Sequence, residues 1–252
     1  MNELRPIDRL DCAPRYSEHD AVRLNRMFRG ASTLDMLTSV IRDNLAGKLA
    51  TVSSFGAESA VLLHLIAAVD NSVPVLFLDT GKHFAETLAY RDRLIDALGL
   101  GNVRILTPDA ADLRTRDETG LRWSYDPDGC CEIRKVKPLA KALDGYDASF
   151  TGRKSFQSDT RANLPRFEID TSNAAGRLKI NPLIDWSAGD IAAYFERHDL
   201  PRHPLVARGF PSIGCEPCTH KVAPGEDPRS GRWKGWDKTE CGIHKPGEEP
   251  FL

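Results

Sequence analysis

Leu49-Ala50-Thr51-Val52-Ser53-Ser54-Phe55-Gly56-Ala57-Glu58-Ser59, running on into the apolar residues 60–68, changes character at Gly56. Before the glycine, small and β-branched residues without a charge predict a strand buried on both faces; after it, the apolar run predicts a helix. Strand, small-residue loop and helix make half of a βαβ unit. Such a loop presents backbone N–H groups and serine hydroxyls at a helix N-terminus, where the helix dipole favours an anion. The lysine of a Walker loop is missing from it.

Outward from this stretch the pattern repeats. Residues 73–79 predict a second buried strand, followed by Thr80-Gly81 and an amphipathic helix over about 84–98; residues 103–106, 148–153 and 178–183 predict three more strands. Residues 33–45 show helical spacing before Gly47, and Ser187-Ala188-Gly189-Asp190 opens a helix to about 198 in a capping-box pattern. The alternation predicts an α/β fold with a doubly wound, mostly parallel sheet, whose ligands lie at the carboxyl ends of the strands. Ser53, Asp79 and Gly152 fall at those ends. Asp79 reads either as a cap for the following helix or as a contact to an adenosine.

Length and composition bound the function. A chain of 252 residues with 41% hydrophobic content suits one overall domain, read as an N-terminal arm and helix (1–45), a nucleotide-binding unit (46–212) and a tail (213–252). The formal charge of −2 gives no bulk attraction to nucleic acid or anionic lipid, so an anionic substrate must be caught locally. Residues 1–10 contain no apolar signal-peptide core, and no run approaches a membrane span, so a soluble protein of the reducing cytoplasm is expected. Residues 1–29, with Cys12 alone among polar neighbours, read as an arm that packs late or stays mobile. Self-association stays open.

Four of the 6 cysteines lie in two places, Gly129-Cys130-Cys131-Glu132-Ile133-Arg134-Lys135 and Gly214-Cys215-Glu216-Pro217-Cys218. Adjacent cysteines seldom bridge each other, and paired thiols in turn-forming sequence suit a four-thiolate metal site better than they suit core packing. Zinc and a [4Fe-4S] cluster both accept four thiolates, and ligand count does not separate them. If residues 130–135 form an α-helix, Cys131 and Lys135 share a face. The segment from Pro201 onward is rich in Pro, Gly and charge, so something other than a large core must hold it; Cys215 and Cys218 are candidates.

The chain resembles the iron-sulfur assimilatory adenylyl-sulfate reductases, within the phosphoadenylyl-sulfate reductase family. The residues that carry the resemblance are Ser53 to Ser59, Leu78-Asp79-Thr80-Gly81, Cys130-Cys131 through Lys135, Gly214 through Thr219, and Glu240-Cys241-Gly242-Ile243-His244. The resemblance implies an adenine-nucleotide-hydrolase-like fold with a modified phosphate loop, a [4Fe-4S] cluster on Cys130, Cys131, Cys215 and Cys218, and a nucleophilic Cys241. It implies nucleotide contacts at Ser53, Ser54, Gly56, Leu78, Asp79 and Gly152, and phosphosulfate contacts at Lys135, Arg161, Arg229, Arg232 and His244. The implied reaction converts adenylyl sulfate to sulfite and AMP through an S-sulfocysteine that reduced thioredoxin cleaves, since no Cys-x-x-Cys follows position 241.

Two departures stand out. Ser-Ser-Phe-Gly replaces the Ser-Phe-Ser-Gly of many iron-sulfur members, which leaves open which serine meets the nucleotide, and Ala85 stands where the family often has proline. The first resembles relatives that use the 3'-phosphorylated substrate, whereas the cysteine quartet points to adenylyl sulfate. Other readings are a tRNA-thiolating enzyme, which would want a Ser-Gly-Gly-x-Asp-Ser loop and a basic surface, and a non-catalytic metal-binding module.

Overall fold

The protein is described by a computed structural model over residues 15–171 and 176–244, apart from the side chains of Asp159 and His244. Its strands are β1 (Leu49–Ser53), β2 (Val75–Leu78), β3 (Val103–Leu106), β4 (Ala148–Phe150), β5 (Phe167–Ile169) and β6 (Leu178–Ile180). They form one sheet in the order β3-β2-β1-β4-β6-β5, in which β5 alone runs antiparallel to its neighbour. The order reverses between β1 and β4, which makes the crevice beyond their carboxyl ends the switch point where such sheets bind ligands.

Helices cover both faces. The core on one side gathers Val75, Phe77 and Phe150 with residues of α2 (Thr33–Arg42), α3 (Ser59–Val69) and α8 (Ala188–Arg197). On the other side, Ala50, Leu76 and Leu78 pack with Leu139 and Leu143 of α7 (Lys137–Leu143). Val75 and Phe77 thus face one layer and Leu76 and Leu78 the other, the alternation of a strand buried on both sides. Between the layers in sequence come α4 (Ala85–Leu98) and α5 (Ala110–Arg116). No described helix is long and apolar enough to cross a membrane.

Three local features depart from the sequence reading. Within the expected arm, Glu18–Met27 forms a helix, α1, opened by a Ser17/Asp20 capping box. Asn25 bonds both backbone groups of Phe167, at 2.7 and 3.0 Å, and Phe28 stacks on the Phe167 ring, so the N-terminal segment closes the β5 edge. Strand β5 was not expected, because three residues leave no period to read. The cysteine helix is also not one regular α-helix: α6 (Pro127–Cys131) passes through a π-helical turn, Glu132–Val136, into α7. Pro138 lacks the N–H that would bond the Arg134 carbonyl, and its ring crowds that carbonyl, so the wider turn relieves the conflict. The i, i+4 relation expected of Cys131 and Lys135 is loosened accordingly.

Candidate active site

A cavity of about 360 Å³ opens beyond β1 and β4. One wall is the loop after β1. Phe55 takes a left-handed conformation (φ 47°), its buried ring set edge-on to Phe77, and its N–H donates to Ser53 Oγ at 3.2 Å. Ser53 therefore serves the loop, while Ser54 is exposed on the cavity wall. Glu58, at the start of α3, makes no side-chain cap; Lys154 (2.8 Å) and Gln157 (2.9 Å) hold its carboxylate instead.

The opposite wall comes from the C-terminal segment. Glu216 N–H donates to Lys82 O (2.8 Å), His220 N–H to Gly231 O (2.8 Å) and Trp233 N–H to Cys218 O (3.1 Å). A small cluster of Leu205, Phe210 and Ile213 packs with Phe84. Backbone bonds and this cluster hold the segment in addition to whatever the cysteines supply. The Trp233 ring, buried and at φ 49°, carries the Arg232 guanidinium 4.5 Å from its centroid, with Arg229 at 5.9 Å and Lys238 at 5.5 Å. One aromatic ring thereby gathers three cations, of which Arg229 and Arg232 line the cavity. Arg232 Nε is buried and has no partner among the described residues, a polar atom left for a ligand.

Of the residues singled out in the sequence, Ser53, Ser54, Gly56, Leu78, Lys135, Gly152, Arg161, Arg229, Arg232, Cys215 and Cys241 line this one cavity. Asp79 does not: its Oδ1 accepts from Gly81 N–H at 2.9 Å, so it serves the turn after β2. Cys130, Cys131 and Cys218 are not among the cavity's lining residues. The His244 side chain lies outside the described residues, as does Cys12.

Cys241 reaches the wall because the turn Gly242–His244 packs against the π-helical turn, with Ile243 on the α7 side of the sheet. With Cys131 carrying its proton, as it does only while unligated, that thiol, Lys135, the Ile243 N–H and Arg232 together hold the Cys241 pKa well below that of an ordinary thiol against the cost of burial. Once Cys131 binds a metal, the cations and the N–H are what remain. The nearby Cys241 sulfur, together with burial, pushes the unligated Cys131 thiol up. Burial pushes Cys130 up to about 11. Burial works to discharge Lys135, but the sulfurs of Cys215, Cys241 and Cys131 outweigh it and raise its pKa. Lys238, close to Cys241 in sequence, instead pairs with Asp128.

The five described cysteines are all free. Cys130 senses the charges of Cys215 and Cys218, and the Thr80 hydroxyl lies 3.3 Å from Cys215 Sγ, a contact of the kind that supports a metal-bound thiolate. Among the described residues no three His, Cys, Asp or Glu side chains stand in metal-holding geometry. In donor chemistry, two thiols at the end of α6 and two at the Cys215–Cys218 turn fit a four-thiolate centre.

Sequence reasoning quoted Glu240 and Arg134 inside motifs without giving either a task. Arg134 pairs with Asp117 at 2.5 Å and donates to Thr80 O at 2.7 Å, tying the cysteine helix to the end of β2. Glu240 is held by Arg161 through two bonds, at 2.6 and 2.7 Å. Neither partner is near in sequence, so no local signal marks these pairs.

A parallel sheet with a serine-glycine loop at its switch point and a cationic cavity beyond it defines an α/β nucleotide-binding protein of the modified phosphate-loop type. The chain belongs to the phosphoadenosine phosphosulfate reductase family, whose domain matches residues 48–221. It is 48% identical over 248 residues to the adenosine 5'-phosphosulfate reductase of Mesorhizobium japonicum, covering 98% of this chain and 96% of that one. It is 50% identical over 239 residues to the protein of the same name from a Chelativorans species, covering 94% and 95%. Among solved structures, a phosphoadenylyl-sulfate reductase from Candida auris superposes with a TM-score of 0.69 at 24% identity, over 83% of this chain and 100% of that one. An FMN adenylyltransferase from Candida glabrata shares the fold at a TM-score of 0.52 and 16% identity, over 79% and 71%.

Proposed function

We propose that this protein reduces adenylyl sulfate to sulfite and AMP in sulfate assimilation, with Cys241 as nucleophile. The observation that carries the reading is that Cys241, the loop after β1 and Arg232, whose Nε has no partner among the described residues, border one cavity. Family membership and the names of the relatives support the substrate.

The nucleotide lies against the loop, with Ser54 and the N-terminus of α3 toward its phosphate. Lys135 and Arg232 bind the sulfate oxygens and screen them from the approaching anionic thiolate. Cys241 sulfur bonds to the sulfate sulfur while the bond from that sulfur to the bridging oxygen breaks; AMP leaves with the electron pair, and Cys241 carries an S-sulfo group. A second thiolate attacks Cys241 sulfur, displaces sulfite and forms a mixed disulfide, which the second thiol of a dithiol donor resolves. Reduced thioredoxin, a small dithiol protein, supplies the chemistry this step needs. Oxidation would silence both thiols, so the reaction belongs to the cytoplasm.

Cys130, Cys131, Cys215 and Cys218 would hold a [4Fe-4S] cluster, which supplies a rigid anchor and a local field when bound. On this reading residues 46–212 bind the nucleotide and supply Cys130 and Cys131, and residues 213–252 bring the other two cluster ligands and the nucleophile to it. Cys241→Ser is expected to abolish sulfite release while AMP binding persists; retained sulfite release would reassign the nucleophile. Turnover of adenylyl sulfate beside its 3'-phosphorylated form measures the preference directly.

A further inference from the structure

Glu240 is a carboxylate seated in a built anion receptor. It is 9% exposed, and Arg161, itself 6% exposed, donates from Nε to Oε1 at 2.6 Å and from Nη2 to Oε2 at 2.7 Å. Arg229 Nη2 adds a longer bond to Oε2 (3.4 Å) and fixes the chain just before it by donating to Thr239 O at 2.8 Å. The hydroxyls of Ser158 and Thr160 donate to Oε1 at 3.2 and 3.3 Å. Gln157 holds the free arm of Arg161 at 2.5 Å and reaches Glu58 in the phosphate loop with its own amide. Such a fork of charge-assisted bonds suits an anionic ligand; here the chain's own carboxylate fills it, one residue before Cys241.

Arg161, Arg229 and Glu240 also line the main cavity. An anionic substrate entering it therefore meets two arginines already engaged by one carboxylate, their combined charge reduced by half. We propose that Glu240 is the positioning residue for Cys241: its carboxylate clamps the tail to Arg161 and Arg229, and the anionic groups of the incoming nucleotide compete with it for those arginines. Arg161 and Arg229 then serve the tail in the free protein, and Lys135 and Arg232 are the cations that meet the substrate first. Placement of the nucleophile and capture of the substrate draw on one set of charges, which couples them.

The inference rests on the proposed reductase reading, and Glu240→Gln tests it with readouts that separate the two. Losing the negative charge frees the arginines for substrate and loosens the tail. KM for adenylyl sulfate is expected to fall several-fold and kcat to fall about tenfold, the pattern of a ground-state competitor that also positions the nucleophile. Glu240→Asp, which keeps the charge, is expected to hold KM near its original value. Independently of turnover, alkylation of Cys241 by iodoacetamide, followed by peptide mass spectrometry, is expected to speed up about tenfold in Glu240→Gln. An unchanged or raised KM in Glu240→Gln, or unchanged alkylation in a variant with the original urea midpoint, would overturn the clamp. Absence of turnover by the unaltered protein would sink the reductase reading and leave the alkylation result to judge the clamp.

Discussion

Gly214 lies directly against Arg232: a Cβ at position 214 would come within 2.2 Å of Arg232 Nη2 and 2.6 Å of its Cζ. A side chain here and the present place of the guanidinium on the Trp233 ring exclude each other, so Arg232 would have to shift to admit one. Gly214→Ala is expected to raise KM for adenylyl sulfate about tenfold, the loss of one charge-assisted contact. The cycle with Arg232→Ala checks the cause. If the glycine acts through Arg232, the double variant is expected to lose no more than Arg232→Ala alone; additive losses would place its role elsewhere.

The cysteine helix depends on a buried ion pair. Arg134 bonds Asp117 through Nε (3.1 Å) and Nη2 (2.5 Å), and the Asp117 side chain is fully buried. Arg134→Ala leaves that carboxylate without its cation and is expected to destabilise the protein by about 3–5 kcal/mol. Replacing both, as Arg134→Met with Asp117→Leu, is expected to recover part of the loss. Recovery stays incomplete because Asp117 also accepts from Arg122 N–H. Urea midpoints at constant slope measure both.

The sheet was legible because its central strands carry their burial locally: residues 73–79 contain no charge before Asp79, and the change of period at Gly56 marks the first βα turn. Strand β5 and α1 were not, since β5 is three residues long and α1 buries only Ala21 and Leu24. The site divides in the same way. Cys241 and Lys135 stand in recognisable motifs, Arg232 is implied by the family resemblance, and the structure brings the three to one cavity. Asp79 sits beside them in sequence logic, yet its carboxylate closes a turn. The pairs Glu240 with Arg161 and Arg134 with Asp117 span 79 and 17 positions, and chain pattern carries no information about such contacts.

Stability is expected to fall on mild acidification through His203. Its Nδ1 accepts from Leu205 N–H and its Nε2 meets Thr87 Oγ1 at 3.0 Å; burial lowers its pKa from 6.5 to about 4, against a small opposing pull from Glu86. Between those two values the unfolded chain binds a proton that the folded chain does not, so stability rises with pH across this window and is lost as pH falls. The loss is about 2 kcal/mol by pH 5. In His203→Asn, whose Oδ1 can accept from Leu205 without titrating, urea midpoints at pH 7 and pH 5 are expected to lie closer together by that amount. An equal drop in both proteins would assign the acid sensitivity to other groups.

Thr80 Oγ1 stands 3.3 Å from Cys215 Sγ, and Thr80 is fully buried. A thiolate bound to iron has no proton to give, so in the loaded protein the hydroxyl is the donor in this contact. A hydrogen bond to such a sulfur favours the more negative, reduced state. Protein purified without oxygen is expected to contain iron and acid-labile sulfide, and Cys215→Ser to lose both. Thr80→Val removes the donor at nearly constant volume and is expected to lower the midpoint potential of the centre while iron content stays level. Zinc without sulfide in the purified protein would replace the iron-sulfur assignment. An unchanged potential in Thr80→Val would show that the hydroxyl serves the Lys82 N–H, which it also accepts at 3.3 Å, rather than the sulfur.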